Sequence, residues 1–272
     1  MHLGPNKQVH DFVVWNGQTL LAGTSITDSD TVSIYKTTDG GAHWKPYQQN
    51  FGTTEQNNLL YFVTKHPQND KLLYARGDFN VAKSEDAGES WTSIYGSWEG
   101  YGEGQFLTIY PSDSDIIWGG GATATFAPHI FKSNDGGVNW TYIDQFYNEA
   151  EGTCYDALIH PTDSKQVIVG MGGAVSSANI IRRSQDGGLS WQTVYSGMYT
   201  RTAGAKCRQP GNRLCQRAQP VFFARSTDFG QTWQTIDFPD TASMTWWLPQ
   251  ETVMRYLYLG TNKGVFSYTF AE

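Results

Sequence analysis

The chain has 272 residues, 39% of them hydrophobic, 14% aromatic and only 17% charged, with 29 glycines and ten tryptophans; this turn-rich, aromatic composition predicts one all-β domain. A formal net charge of −7 argues against binding nucleic acid or an anionic membrane surface. No apolar run approaches the ~20 residues that a membrane-crossing helix needs.

Taken in chain order, the predicted elements fall into repeating units. The first has a turn at Asn16-Gly17 and ends on Thr37-Thr38-Asp39-Gly40-Gly41-Ala42-His43-Trp44. That closing phrase, Ser/Thr-x-Asp-x-Gly-x-x-Trp, returns around Asp86, Asp135, Asp186 and Asp228, at spacings of 47, 49, 51 and 42 residues. A period of this size is the signature of stacked supersecondary units. Each phrase lies between two β-prone runs, as Ile130-Phe131-Lys132 and Trp140-Thr141-Tyr142-Ile143 do around the third copy. It therefore reads as a hairpin turn, with Gly accepting positive φ and Asp bonding nearby backbone. Two further runs precede each copy, for example Tyr155–Ile159 and Gln166–Gly170 around the turn His160-Pro161-Thr162-Asp163-Ser164. Each unit thus holds four antiparallel strands, A to D. Pro67, Pro111, Pro161, Pro210 and Pro249 mark the later A–B turns, 16 to 23 residues after the preceding phrase's Trp.

The fifth unit is irregular: residues 200–219 carry Arg201, Lys206, Arg208, Arg213 and Arg217 and no acid, with Cys207 and Cys215 flanking Pro210-Gly211. This is either a basic patch or a degenerate unit. A sixth unit, through Met244–Trp247, Tyr256–Gly260 and Gly264–Tyr268, lacks its own phrase and D strand. The N-terminal Leu3-Gly4-Pro5 is expected to supply the missing outer strand and close a ring, which removes an open edge.

The five phrases resemble the Asp-box, or BNR-repeat, β-propeller superfamily, which includes sialidases, xyloglucanase-type glycoside hydrolases, sortilin ectodomains and photosystem II assembly propellers. The resemblance implies a six-bladed propeller of four-stranded blades over residues 1–272, monomeric by default. It also implies that Asp39, Asp86, Asp135, Asp186 and Asp228 are structural and lie opposite the face that carries function.

Function is then expected on the B–C and D–A loops, because binding residues concentrate on loops held by a rigid scaffold. The D–A loops carry Trp98, Glu99, Tyr101 and Glu103, then Tyr147, Glu149 and Glu151, then Tyr199 and Arg201; the B–C loops add Asp28, Asp30 and Asp78. Aromatic platforms beside carboxylates suit a glycan, whose rings stack while its hydroxyls are bonded. They also suit a protein surface, where Trp, Tyr and Arg act as anchors. The leading expectation is a non-catalytic recognition scaffold for a glycan or protein, with ligand contacts from Trp98, Tyr101, Tyr147, Glu149, Glu151, Tyr199 and Arg201.

The residues also bear on enzyme chemistry. A sialidase needs three arginines and an early Arg-Ile-Pro; here no arginine precedes Arg76 and that tripeptide is absent. Tyr74-Ala75-Arg76-Gly77-Asp78 resembles the Tyr-Ala-Arg-Thr-Asp of xyloglucanase-type hydrolases, departing at Gly77. The resemblance makes Asp78 the catalytic candidate, with Glu99 or Glu103 as the second carboxylate that glycoside hydrolysis requires. A third alternative is an assembly factor acting through the basic fifth unit. No histidine pair has ligand spacing and no phosphate loop or nucleophile elbow occurs, so no metal or cofactor is expected. Three cysteines leave the compartment open: secreted or periplasmic if a leader is removed, cytoplasmic otherwise.

Overall fold

The computed structural model describes residues 8–25, 34–47, 60–66, 68–77, 81–95, 103–122, 128–143, 153–172, 179–197, 222–226, 228–237, 244–249, 256–261 and 264–269. All regular structure among them is β, and every sheet is an antiparallel meander in chain order. The first sheet joins β1 (Gln8–Val14), β2 (Leu20–Ser25), β3 (Ile34–Thr37) and β4 (Lys45–Tyr47). The second joins β5 (Leu60–His66), β6 (Asn69–Gly77), β7 (Val81–Ser84) and β8 (Thr92–Tyr95). The third joins β9 (Glu103–Ile109), β10 (Ile117–Ala122), β11 (Pro128–Ser133) and β12 (Thr141–Tyr142). The fourth joins β13 (Thr153–His160), β14 (Asp163–Gly172), β15 (Asn179–Ser184) and β16 (Gln192–Gly197). A hairpin follows, of β17 (Phe222–Arg225) and β18 (Gln234–Asp237), then a three-stranded sheet of β19 (Met244–Pro249), β20 (Tyr256–Thr261) and β21 (Gly264–Thr269).

The first four sheets have the four strands that the hydrophobic runs predicted, each with its phrase on the third-to-fourth hairpin, and the fifth phrase joins β17 to β18. The fourth sheet's A–B turn is tighter than expected: pairing continues to His160↔Asp163, and His160 Nδ1 accepts the Thr162 N–H at 3.3 Å. His66 closes the second sheet's turn in the same way, accepting from Gln68 N at 3.2 Å. At the first turn Asn16 Oδ1 takes the N–H groups of Gln18 and Thr19, at 2.8 and 2.9 Å, an Asx-type closure.

The core lies between sheets rather than within one. Val13, Leu21 and Ile34 of the first sheet pack with Val63, Leu73 and Ala75 of the second. Tyr74 and Val81 of the second meet Leu107, Ile109 and Ile117 of the third. Phe106, Trp118 and Ile130 of the third meet Cys154, Ala157 and Val169 of the fourth. The first strands are the elements that approach one another, β1 beside β5, β5 beside β9 and β9 beside β13, so they are innermost. Apolar faces are thus covered by the neighbouring sheet, as a layered architecture requires.

Candidate functional site

At the end carrying the third-to-fourth hairpins, all five phrases adopt one geometry. The Ser or Thr hydroxyl donates to one Asp oxygen at 2.8–2.9 Å. It also accepts the N–H of the glycine four residues on, at 2.6–3.0 Å. The same Asp oxygen accepts the N–H of the residue four further along, at 2.8–2.9 Å. The second Asp oxygen is engaged by that residue's own side chain: His43, Ser90, Asn139, Ser190 or Thr232. These bonds favour the ionised form. The backbone N–H of His43 holds Asp39 down to about 2, and the hydroxyls of Ser190 and Thr232 do the same for Asp186 and Asp228, each to about 2. Both oxygens of each carboxylate are therefore spent inside the turn.

The phrases also join sheets. Trp91 packs into the seam between the first and second sheets, Trp140 between the second and third, and Trp191 between the third and fourth. A Cβ on Gly88 would meet Leu21 at 2.6 Å, on Gly188 Trp118 at 2.6 Å and on Gly230 Ile168 at 2.8 Å, each from the preceding sheet. Two of the basic residues just before a phrase, Lys36 and Lys132, reach forward to the next one. Lys36 Nζ donates to Ala87 O at 2.9 Å and pairs with Glu89 at 2.6 Å; Lys132 Nζ contacts Gly187 O at 3.5 Å. The repeat spacing carried no indication of this cross-sheet role. The signal was the recurrent Lys36, Lys83, Lys132, Arg183 and Arg225 immediately before the Ser or Thr.

At the opposite end, where β6 stops, Arg76 is fully buried. Its Nη1 reaches Gly120 O of the third sheet at 3.4 Å. Beside it His129 stacks edge-on to Tyr142, with ring centroids 5.1 Å apart. Burial, helped by the Arg76 charge, holds the His129 imidazole down to about 4, so it is neutral at pH 7. Gly77 then leads into residues 78–80, so Asp78 follows a buried guanidinium by two positions. Glu103 opens β9 and pairs with Ala122 at the same end of the third sheet.

Of the predicted ligand and catalytic residues, Glu103 is placed by its backbone alone. Asp28, Asp30, Asp78, Trp98, Glu99, Tyr101, Tyr147, Glu149, Glu151, Tyr199 and Arg201 lie outside the described residues, as do the basic run from 200 to 219, Cys207 and Cys215. Among the described residues there is no group of three or more His, Cys, Asp or Glu side chains that could hold a metal. No helix is long and apolar enough to cross a membrane.

One feature of this end had no sequence forecast. The first-to-second strand ladder slips by one residue in five sheets, always near the start of the first strand. The skipped residues are His10, Tyr61, Gln105, Tyr155 and Thr245. The residue after each pairs with Gly23, Arg76, Gly120, Gly170 and Gly260 respectively. At Gly120 a Cβ would meet His129 O at 2.5 Å and the Phe106 ring at 2.7 Å, which explains glycine there. Arg76 is the exception to that pattern. A glycine five to seven residues after the A–B turn was the available signal.

Comparison with known proteins agrees with this architecture. The BNR/Asp-box repeat family matches residues 224–235. A xyloglucanase of Paenibacillus sp is 23% identical over 93% of this chain, and the chain spans 24% of that enzyme's length. Among solved structures, YCF48 bound to D1 peptide superposes with a TM-score of 0.60 at 14% identity, over 99% of this chain and 80% of that one. An ancestral GH74 enzyme gives a TM-score of 0.53 at 16% identity, over 99% of this chain and 32% of that one. The chain carries BNR/Asp-box repeats on a β-propeller fold and is similar to glycosyl hydrolase propellers.

Proposed function

We propose that this propeller is a carbohydrate-recognition scaffold that binds its ligand at the end opposite the Asp boxes. The observation that carries the reading is the saturation of the box end: both oxygens of all five box carboxylates are occupied within their own turns. The reading assigns to the loop end the unrepeated aromatic and acidic residues Trp98, Tyr101, Tyr147, Glu149, Glu151 and Tyr199, together with Arg201. The xyloglucanase relative supports a glycan, and the YCF48–peptide complex makes a peptide the competing ligand.

The same reading includes a ring of six blades closed through the N-terminal segment. In β5, β9 and β13 the residues Val63, Leu107 and Ala157 face the preceding sheet and are buried. Their register counterpart in β1, Phe12, is 53% exposed and Val14 is 46% exposed. The sheet of β19–β21, completed by the N-terminal segment, is the occupant for that face.

A second reading, glycoside hydrolysis, is favoured by one observation. The Tyr74–Gly77 strand end sets the buried Arg76 just ahead of Asp78, and Glu103 begins the neighbouring inner strand at the same end. Two carboxyl groups about 5–10 Å apart would suffice.

Binding and turnover on xyloglucan and cello-oligosaccharides, set beside peptide arrays, separate the readings. Binding without turnover, weakened by Trp98→Ala, is expected. Turnover abolished by Asp78→Asn would replace the scaffold reading with the hydrolase. Peptide binding alone would overturn both.

A further inference from the structure

At the box end each box aspartate is occupied within its own turn, but the cations beside the boxes differ in how they are matched. Lys36, Lys83 and Lys132 hold one register position, immediately before successive boxes. Three positions recur around each: the second residue of its own box, the sixth residue of the next box, and the A–B turn residue whose carbonyl accepts an N–H from that next box. Around Lys36 these are Thr38, Glu89 and Lys71, and Glu89 binds the ammonium at 2.6 Å. Around Lys83 they are Glu85, Val138 and Asp115. Glu85 pairs with it at 2.9 Å, and Asp115 adjoins the same Gly136.

Around Lys132 the three are Asn134, Leu189 and Lys165, and none is an acid. Among the described residues Lys132 Nζ has the Gly187 carbonyl at 3.5 Å and the Trp118 ring, 5.3 Å from its centroid, but no carboxylate. Asp163, in the same turn as Lys165, accepts Lys165 N–H and Gln166 Nε2 on its two oxygens, each at 3.0 Å. Lys132 is half-buried, and burial lowers its ionisation from the ordinary lysine value. A desolvated cation without a counter-charge is costly. The same change of residue type leaves an apolar surface. Leu189 is 76% exposed, and Val138, at the matching place in the preceding box, is 72% exposed. They are the most exposed large apolar side chains among the described residues, and they belong to the two boxes that Lys132 joins.

We propose that Lys132, Leu189 and Val138 form a docking surface for an acidic peptide of a protein partner. A partner Asp or Glu carboxylate takes on Lys132 the place that Glu89 takes on Lys36, and apolar residues beside it cover Leu189 and Val138. The arriving carboxylate makes a charge-assisted hydrogen bond and favours the charged ammonium, and Lys165 adds a second cation at the same box. The surface lies at the box end and is independent of the loop-end carbohydrate reading.

The test titrates the isotope-labelled full chain with the pentapeptide acetyl-Leu-Glu-Leu-Glu-Leu-amide and with its counterpart carrying Gln for Glu, following backbone amides. The acidic peptide is expected to shift Val138, Gly187 and Leu189 and to bind about tenfold tighter than the neutral one, the worth of one charge-assisted hydrogen bond. Leu189→Glu supplies the carboxylate from within, as Glu89 does for Lys36. It should weaken peptide binding by about tenfold while leaving the thermal midpoint equal or higher. Lys132→Gln should weaken binding to the same extent, and Lys132→Arg should retain it. If Lys132→Gln fails to fold, Leu189→Glu, altered at an exposed position, decides the matter. Absence of shifts at these amides overturns the surface. Equal binding of the neutral peptide, or equal shifts with sodium sulfate at matched ionic strength, overturns the acidic-peptide assignment. Glycan titration of the same samples reads the loop end separately, so either inference can fail without the other.

Discussion

At the residue scale, the positions with the clearest energetic consequences are His129 and the turn residue Ala87. His129 is held neutral by burial and by the Arg76 charge, with its ionisation lowered to about 4. An unfolded histidine titrates near 6.5. The unfolded chain therefore binds this proton first, and stability is complete above about pH 6.5 and falls as pH drops toward 4. His66, also lowered by burial, acts in the same direction. The His129 contribution is about 3 kcal/mol across that window. Urea midpoints at pH 7, 5.5 and 4.5 should fall steadily in the wild type and much less in His129→Gln. The box aspartates act in a separate window: their stabilisation is present above an unfolded value near 3.9 and is lost as pH falls through about 2. Ala87 sits at φ 62, where three other boxes place Gly40, Gly136 and Gly187. A left-handed alanine costs about 1 kcal/mol, part of which glycine returns as chain entropy. Ala87→Gly should gain about 0.5 kcal/mol by the difference of these effects. Ala87→Val, β-branched at the same φ, should instead lose stability in the same denaturation assay.

At the element scale, the Asp box is a fastener between sheets as well as a turn. Its second glycine must be glycine for two reasons: Gly188 lies at φ +97, and a Cβ there would meet Trp118 at 2.6 Å. Gly188→Ala combines left-handed strain with overpacking of the seam, so a loss of about 2–4 kcal/mol is expected in chemical denaturation. Lys36 and Lys132 reach the next box from outside that apolar contact. The period-2 runs and the Asp-x-Gly turns made these hairpins readable in advance, because turn chemistry is local. The register slips at His10, Tyr61, Gln105, Tyr155 and Thr245 were not readable. A register slip exists only once two strands are paired, and neither strand alone records it.

At the scale of the whole molecule, each sheet covers its neighbour's apolar face, so the face of β1 is the decisive observable for ring closure. In a closed ring Phe12 is a core residue, and Phe12→Asp should cost more than about 2 kcal/mol, as burial of a large apolar side chain implies. On an open edge, where its 53% exposure persists, the same change should stay within about 0.5 kcal/mol, as isolated surface substitutions do.

The amino-acid sequence by itself determined the all-β class, the four-strand unit of the first four sheets and the place of every box on its hairpin. All of these follow from local rules, the alternation of apolar residues and the turn preferences of Asp and Gly, repeated at a readable period. It also pointed to Tyr74-Ala75-Arg76-Gly77-Asp78 as a stretch resembling a xyloglucanase-type motif. Only the tertiary structure decided that the core lies between sheets, that box Trp and Lys residues cross those seams, that Arg76 takes a position that is glycine in four other sheets, and that the first-to-second strand register slips at one position in five sheets. These depend on which residues meet across distances in sequence, and pairing and packing, not composition or periodicity, choose those partners.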